Sequence, residues 1–230
     1  VLAVVVPFYL PKLEPHLRRG VSIRQESANV FRGFIYTFKF RIVWFFFLIF
    51  SLTQGVIAFG TTLTPGFFDE VIELSIKESP LFIFPLVGFG LTLGAVFAYR
   101  IKIEESILCA FGIGLIGFSA FLLGLIFTSN LFRYGLEIAF VAFFIVISGF
   151  GIALPMIASR TVLQRKVAHM FQGTVFGANV ILATVFAGVF SLIAAVLELF
   201  IGYVNILVFG GLTFFMTACA VGYFGKKWKF

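Results

Sequence analysis

The side chains best able to carry out chemistry are few in this chain. It has two histidines, His16 and His169, and two cysteines, Cys109 and Cys219. Neither histidine belongs to an H-E-x-x-H metal motif, no G-x-S-x-G nucleophile motif occurs, and each cysteine lies alone in an apolar run. The sequence therefore predicts no catalytic set, no metal site and no disulfide framework.

A second group of side chains could bind a molecule rather than transform one. Inside long apolar runs the chain carries Gln54, Thr92, Ser148 and Asn179. Polar groups in hydrocarbon are costly and often functional. Gln54 is the strongest candidate, because its amide has donors and acceptors to satisfy, whereas a lone hydroxyl can bond to the preceding helical turn. For Gln54 and Asn179, cavity lining and helix-to-helix hydrogen bonding are both open interpretations.

The composition indicates the elements that must position these residues. Of 230 residues, 61% are hydrophobic and 12% charged, whereas soluble domains have about half apolar and a quarter charged residues. Apolar runs of about 20 residues match the length of a helix that crosses a bilayer. We predict an all-α membrane protein with six transmembrane helices, at about 43–62, 80–99, 106–127, 136–159, 173–197 and 203–225.

The basic residues predict the orientation of these spans. Apart from Lys77 and Arg133, every Lys and Arg lies in the N-terminal region, in the breaks after the second and fourth spans, or in the tail. The positive-inside rule then places both ends in the cytoplasm. The net charge of +7 is thus distributed as a topology signal, and we expect no nucleic-acid partner.

The ends of the chain have their own predictions. Residues 1–42 are interpreted as the end of a preceding helix that begins before Val1, a cytoplasmic linker, and an amphipathic helix at the membrane surface. In that helix Val30, Phe31, Phe34, Ile35 and Phe38 recur at helical spacing; a partner-binding helix is the alternative. Residues 226–230 form a basic cytoplasmic tail.

Glycines cluster in several spans. In the fourth span Gly149 and Gly151 are followed by Pro155, a combination that can bend a helix and serve as a hinge. Passive close packing of helices is an equal alternative.

The stretch "RTVLQRKVAHMFQGTVFG", residues 160–177, carries a family resemblance. Its pattern is similar to Q-x(7)-R-G-R-V-F-G, found between the tenth and eleventh helices of major facilitator superfamily transporters, in the branch of the enterobactin exporter and related multidrug exporters. The matching positions are Gln164, Gly173, Val175, Phe176 and Gly177, while Gln172 and Thr174 replace the two arginines. The second span also resembles the family's eighth helix, with Gly94, Arg100 and Lys102 of a basic motif.

The resemblance implies a fold. The chain would be the C-terminal six-helix half of a twelve-helix transporter, built as a 3+3 inverted repeat, with the N-terminal half missing from this chain. The third and sixth spans would face lipid. The others would line a cavity that contains Gln54, Thr92, Ser148 and Asn179. A cytoplasmic loop motif would stabilise one state of the transporter through charge. Its residues are Arg160, Gln164, Arg165, Lys166, Gly173 and Gly177. The alternative is that the basic residues of this stretch are topology signals alone.

The resemblance also implies a function. We expect secondary active transport, in the export direction, of a small molecule across the cytoplasmic membrane of a prokaryote. An ion gradient, of protons by analogy, would supply the energy without any bound cofactor, and the titrating residues would lie in the missing half. Because transport is not chemical catalysis, we classify the chain as a non-enzyme. The alternatives are a non-transporting six-helix scaffold and, third, a membrane-embedded enzyme.

Overall fold

The fold is described here from a computed structural model for residues 33–72, 79–101, 103–129 and 136–227, without the side chains of residues 136 and 137. Residues 33–39 form a short helix. The long helices that follow are α1 (Arg41–Glu70), α2 (Ser79–Arg100), α3 (Glu105–Thr128), α4 (Leu136–Lys166) and a last helical stretch, His169–Lys227.

The last helical stretch consists of two helices that meet at Gly202. Its 59 residues would extend nearly 90 Å as one helix at about 1.5 Å per residue, about three times the thickness of a hydrocarbon core. Gly202 has φ 72° and ψ 161°, a backbone conformation that glycine adopts without the clash of a Cβ atom. We call the two parts α5 (169–201) and α6 (203–227).

The described chain is all helical, and five helical stretches are long and apolar enough to cross a membrane. This finding confirms the class of helical membrane protein. Each of the six predicted spans lies within a described helix. The predicted linker and preceding helix, Lys102, Lys77, Arg133 and the tail from residue 228 lie outside the described residues.

Two helices extend well beyond their predicted spans. α1 continues through Pro65 to Glu70, and α4 continues to Lys166. In α1 the hydroxyls of Thr61 and Thr64 each bond to a carbonyl of the preceding turn, so these polar residues do not end the helix. Basic side chains in the last turn of α4 are favoured there by the helix dipole. The break after α4 is confined to Val167 and Ala168.

Two helix pairs run parallel. α1 contacts α5 at Phe47 and Asn179, and again further along both helices where the Thr62 hydroxyl donates to Ser191. α2 and α4 run side by side in the same sense, with Val87 near Gly149 and Gly94 near Ala153. In each pair the two helices therefore enter the membrane from the same side.

α3 runs antiparallel to both α4 and α6. Along the pair with α4, Glu105 faces Arg165 and Ser119 faces Ser148. Along the pair with α6, an added Cβ at Gly117 would lie 2.6 Å from the backbone nitrogen of Phe215. α3 and α6 both keep an exposed apolar face, on Ile107, Phe111, Phe118 and Leu125 and on Phe209, Leu212, Phe215 and Met216.

These directions bring most of the basic residues at helix ends to one end of the bundle, where Glu104 and Glu105 also lie. The helix ends with Arg41, Arg100, Arg165 and Lys227 form what we call the basic end, and those with Asp69, Glu70 and Glu198 form the acidic end. Two apolar clusters occupy the half toward the basic end, around Phe46 and Leu154 and around Phe47 and Leu163. A third, around Phe67 and Ile206, occupies the acidic half.

The short helix at 33–39 packs on the basic end. Phe34 meets the Phe47 ring of α1 at 5.7 Å, and Tyr36 stacks on Phe171 of α5 at 4.7 Å. Ile35 and Phe38 are exposed on its other side. The described part thus has one face against protein and an apolar face turned outward, while residues 30–32 of the predicted amphipathic helix lie outside the described range.

Candidate functional site

The acidic half of the bundle contains a cavity of about 340 Å³. Its lining comes from α1, α2, α3, α4 and α6. At one side lie Gly60 and Thr61 of α1 and Phe84 of α2, which are exposed. At the other side are the buried side chains of Leu123, Val141 and others. The cavity therefore leads from an exposed opening between α1 and α2 into the centre of the bundle.

Aromatic rings form a large part of the lining. They are Phe59, Phe67, Phe68, Phe84 and Phe214, together with Tyr203. Phe59 and Phe214 meet edge to face with ring centroids 6.2 Å apart, which joins α1 to α6 beside the cavity. Apolar and aromatic walls with few polar groups are typical of small-molecule sites.

The polar groups of the cavity are hydroxyls that already use their protons. Thr61 donates to Ala58 O at 3.0 Å and Thr64 to Gly60 O at 2.6 Å. Tyr203 donates to the Glu198 carboxylate. The hydroxyl oxygens therefore have acceptor capacity to offer a ligand.

Ser148 belongs to the same group of hydroxyls. Its oxygen lies 2.8 Å from that of Ser119, and Ser119 donates to Ile116 O at 2.9 Å. Ser148 is therefore the donor between the two serines, because the single Ser119 proton is already used. Among the described lining residues none carries a charge.

Of the four residues predicted to line a cavity, Ser148 lies on this one. Gln54 is half-buried in α1, two residues before the lining begins at Val56. Thr92 is exposed on α2, and its hydroxyl bonds to Gly88 O at 2.8 Å. The described lining contains no α5 residue, so it does not test the expectation that α5 lines a cavity between two halves. This site is thus distinct from the cavity between two halves that the resemblance implies.

Asn179 joins two helices. It is 2% exposed, and its side-chain nitrogen donates to Phe47 O at 3.1 Å and lies 3.4 Å from the Ser51 hydroxyl oxygen. Of the two open interpretations for Asn179, this geometry favours helix-to-helix hydrogen bonding.

The predicted loop motif lies mostly in helices. Arg160, Gln164, Arg165 and Lys166 are in the last turns of α4. The side-chain nitrogen of Gln172 donates to Gln164 O at 3.0 Å and to Val167 O at 3.3 Å. This amide satisfies carbonyl groups at the C-terminus of α4 that have no partner within the helix. Gln172, which stands where the family pattern has arginine, therefore caps α4 without a charge.

The charges of the motif make two separate contacts. Arg165 pairs with Glu105 of α3 at 3.3 Å, with side chains 70% and 37% exposed. The Arg160 guanidinium carbon lies 5.1 Å from the centre of the Phe50 ring of α1, within the range of a cation–π interaction. Lys166 is exposed. At Gly173 and Gly177 an added Cβ would meet nothing within 4 Å, so neither glycine is required there by close packing.

The predicted hinge residues lie in an unbroken helix. α4 continues through Gly149, Gly151 and Pro155. An added Cβ at Gly149 would lie 2.6 Å from Val87 O, and one at Gly151 would lie 2.8 Å from Gly112 O. The two glycines therefore allow α2 and α3 to approach the backbone of α4, which is the packing alternative; a hinge function stays a prediction.

Sequence reasoning missed Thr61, Thr64 and Tyr203 as parts of a site. The available signal was the "TTLT" stretch at 61–64, which lies at and beyond the predicted end of the first span. Pro65 favoured ending the span there, because proline usually opposes helix continuation.

No family model, curated protein or solved structure matches this chain. The class that fold and site define is therefore a helical membrane protein with an apolar cavity, and its function is inferred from its own residues.

Proposed function

We propose that this chain is the C-terminal half of a secondary transporter of the major facilitator type, which moves a small molecule by alternating access. The observation that carries the proposal is the pattern of helix pairs. Exchanging α1 with α4, α2 with α5 and α3 with α6 converts the parallel pair α1–α5 into the parallel pair α4–α2. The same exchange maps the α3–α6 pair onto itself.

The remaining contacts agree with this exchange. The exchange relates the α3–α4 pair to the α6–α1 pair. α6 and α1 meet where Tyr203 approaches Gly66 and where Phe214 approaches Phe59. α1 starts at the basic end and α4 at the acidic end, so the two triplets run in opposite senses. This supports a 3+3 repeat related by an axis in the membrane plane, as in many secondary transporters.

Unequal burial supports a missing partner half. In the most apolar 18-residue segment of α2, 11% of the residues are buried inside the bundle, against 50% in the corresponding segment of α1. On α2 the exposed side chains away from the cavity include Leu81, Phe89 and Leu93. We propose that the exposed face of α2 lies against the N-terminal half.

The charge contact at the basic end is weak. The Arg165–Glu105 ion pair is exposed, and such pairs contribute about 0–1 kcal/mol. Because both residues belong to this half, rocking of the halves does not itself open the pair, and we propose that Arg165 can exchange Glu105 for a partner in the other half. With no charged group in the described cavity lining, the coupling ion, proposed to be a proton, would bind in the other half.

Transport is tested by accumulation in cells. The complete protein that contains this chain is expressed in bacteria that lack their own exporters, and the cell content of a panel of small compounds is measured. We expect at least one compound to accumulate less than in cells with an empty vector, and a protonophore to abolish the difference. Protein verified in the membrane that changes no compound in the panel would favour the scaffold alternative.

A further inference from the structure

We propose that the cavity in the acidic half binds an uncharged aromatic molecule of about two rings that carries one hydrogen-bond donor. The proposal concerns binding and stands without transport. That the bound molecule is also the transported one rests on the proposed function.

The volume of the cavity sets the size of the ligand. An apolar cavity of roughly 150 Å³ is known to hold one benzene ring. The cavity here, at about 340 Å³, is roughly twice as large. A two-ring molecule therefore matches the available space.

The lining determines the charge of the ligand. None of its described residues is charged, and the nearby Glu198 carboxylate already accepts from Tyr203, so an anionic ligand would lose its hydration without gaining a partner of opposite charge. The hydroxyls of Thr61, Thr64 and Ser148 donate to protein acceptors and keep lone pairs available. They complement a ligand that donates, such as a phenol.

The aromatic rings favour a flat ligand over a hydrocarbon chain. Rings on α1, α2 and α6 surround the space, and aromatic pairs in edge-to-face or offset contact are stabilised by about 0.5–1.5 kcal/mol beyond their area burial. A linear chain gains the area term alone. The opening at Thr61 and Phe84 gives such a molecule a way in between α1 and α2.

The test is a binding measurement with 4-phenylphenol, a neutral two-ring phenol. The purified protein is placed in lipid nanodiscs, and binding of tritiated 4-phenylphenol is measured by scintillation proximity, with protein-free nanodiscs correcting for partition into lipid. We expect saturable binding. Unlabelled biphenyl should compete. Decanol, which shares the hydroxyl group of 4-phenylphenol, and biphenyl-4-sulfonate, which shares its ring system, should compete at least about tenfold more weakly than biphenyl.

Glycine substitutions distinguish the cavity from other surfaces. Gly60 and Gly210 line it, and an added Cβ at either meets nothing within 4 Å. Gly60→Leu and Gly210→Leu should each fill space and weaken binding about tenfold or more. Gly188 also lies in a helix with open space around it and is outside the described lining, so Gly188→Leu should bind as the wild type does.

Three results would overturn the proposal. The first is binding of 4-phenylphenol no greater than to protein-free nanodiscs. The second is a loss of binding in the Gly188→Leu protein equal to that in the Gly60→Leu and Gly210→Leu proteins. The third is competition by decanol as strong as by biphenyl. The last would indicate a site for lipid chains. Because the assay needs no ion gradient, binding without export in cells would overturn the proposed function and leave this site standing.

Discussion

Asn179→Ala and Asn179→Asp test whether one side-chain amide joins α1 to α5. Alanine removes the bond to Phe47 O and the contact with the Ser51 hydroxyl. It leaves no acceptor without a partner, because Phe47 O also accepts from the Ser51 hydroxyl at 3.0 Å. Interhelical hydrogen bonds in membranes contribute about 0.6 kcal/mol each. We therefore expect alanine to lower the free energy of unfolding by about 1 kcal/mol.

Aspartate should cost more than alanine, although it has the shape of asparagine. Its carboxylate cannot donate to Phe47 O, and an ionised carboxylate within a span costs about 2.5–3.5 kcal/mol. We expect Asn179→Asp to lower the free energy of unfolding by about 3 kcal/mol, or by less if the carboxyl group takes up a proton.

The measurement is an SDS titration of the protein in mild detergent micelles, followed by far-ultraviolet circular dichroism. Asn205→Ala is the control, since the Asn205 amide is exposed and its bond at 2.9 Å is local, to Ile201 O four residues earlier, across the Gly202 break between α5 and α6. We expect that control to lie within about 0.5 kcal/mol of the wild type. An equal loss in Asn205→Ala, or wild-type stability of Asn179→Asp, would refute the assignment. So would a change in transported compounds without loss of stability.

Three further predictions concern other helix contacts. Gly149→Ala places a methyl group about 2.6 Å from Val87 O and should cost about 1–3 kcal/mol, whereas Gly88→Ala, in open space, should not destabilise; the same SDS titration measures both. Arg165→Glu should lower stability by at most about 1 kcal/mol, and adding Glu105→Arg should restore it, because the pair is exposed; a double-mutant cycle measures the coupling. Ser148→Ala should cost about 0.6 kcal/mol and weaken the binding of 4-phenylphenol more than that of biphenyl, in the scintillation assay.

Each of these predictions has a result that contradicts it. Equal stability of Gly149→Ala and Gly88→Ala would show that α2 and α4 do not approach at Gly149. A coupling of several kcal/mol would mean that the Arg165–Glu105 pair is not solvated as described. Equal weakening of both ligands by Ser148→Ala would remove the serine from donor recognition.

The sequence predicted the class of helical membrane protein and the positions of its apolar helices well, because both depend on mean hydropathy over a long stretch of residues. It predicted their ends poorly. Hydropathy falls at Thr61 and at Arg160, yet threonines that bond to the preceding turn and basic residues near a helix C-terminus are compatible with a continuing helix. In α1 and α4 the helix therefore continues beyond the position at which it leaves the apolar layer.

The candidate site was less accessible to sequence reasoning than the spans. Polarity selected Gln54, Thr92, Ser148 and Asn179, but it does not tell which way a side chain points. Asn179 faces α1 and Thr92 is exposed, while Ser148 lies on the cavity. The lining itself is mostly apolar, so a cavity depends on where neighbouring helices fail to fill space, and that is a property of the three-dimensional packing.

The proposed repeat gives a physical reason why no repetition is visible in the sequence. In that arrangement α1–α5 and α2–α4 are equivalent pairs, yet they meet through different chemistry. α1 and α5 meet through the Asn179 amide and large side chains, and an added Cβ at Gly55 would lie 3.0 Å from the Phe190 ring. α2 and α4 meet backbone to backbone at glycines. Within lipid many apolar and small-residue combinations bring two helices together, so equivalent helix pairs can retain their direction and neighbours after their residues have diverged. The order and direction of helix pairs are therefore a better test of the repeat than residue identity.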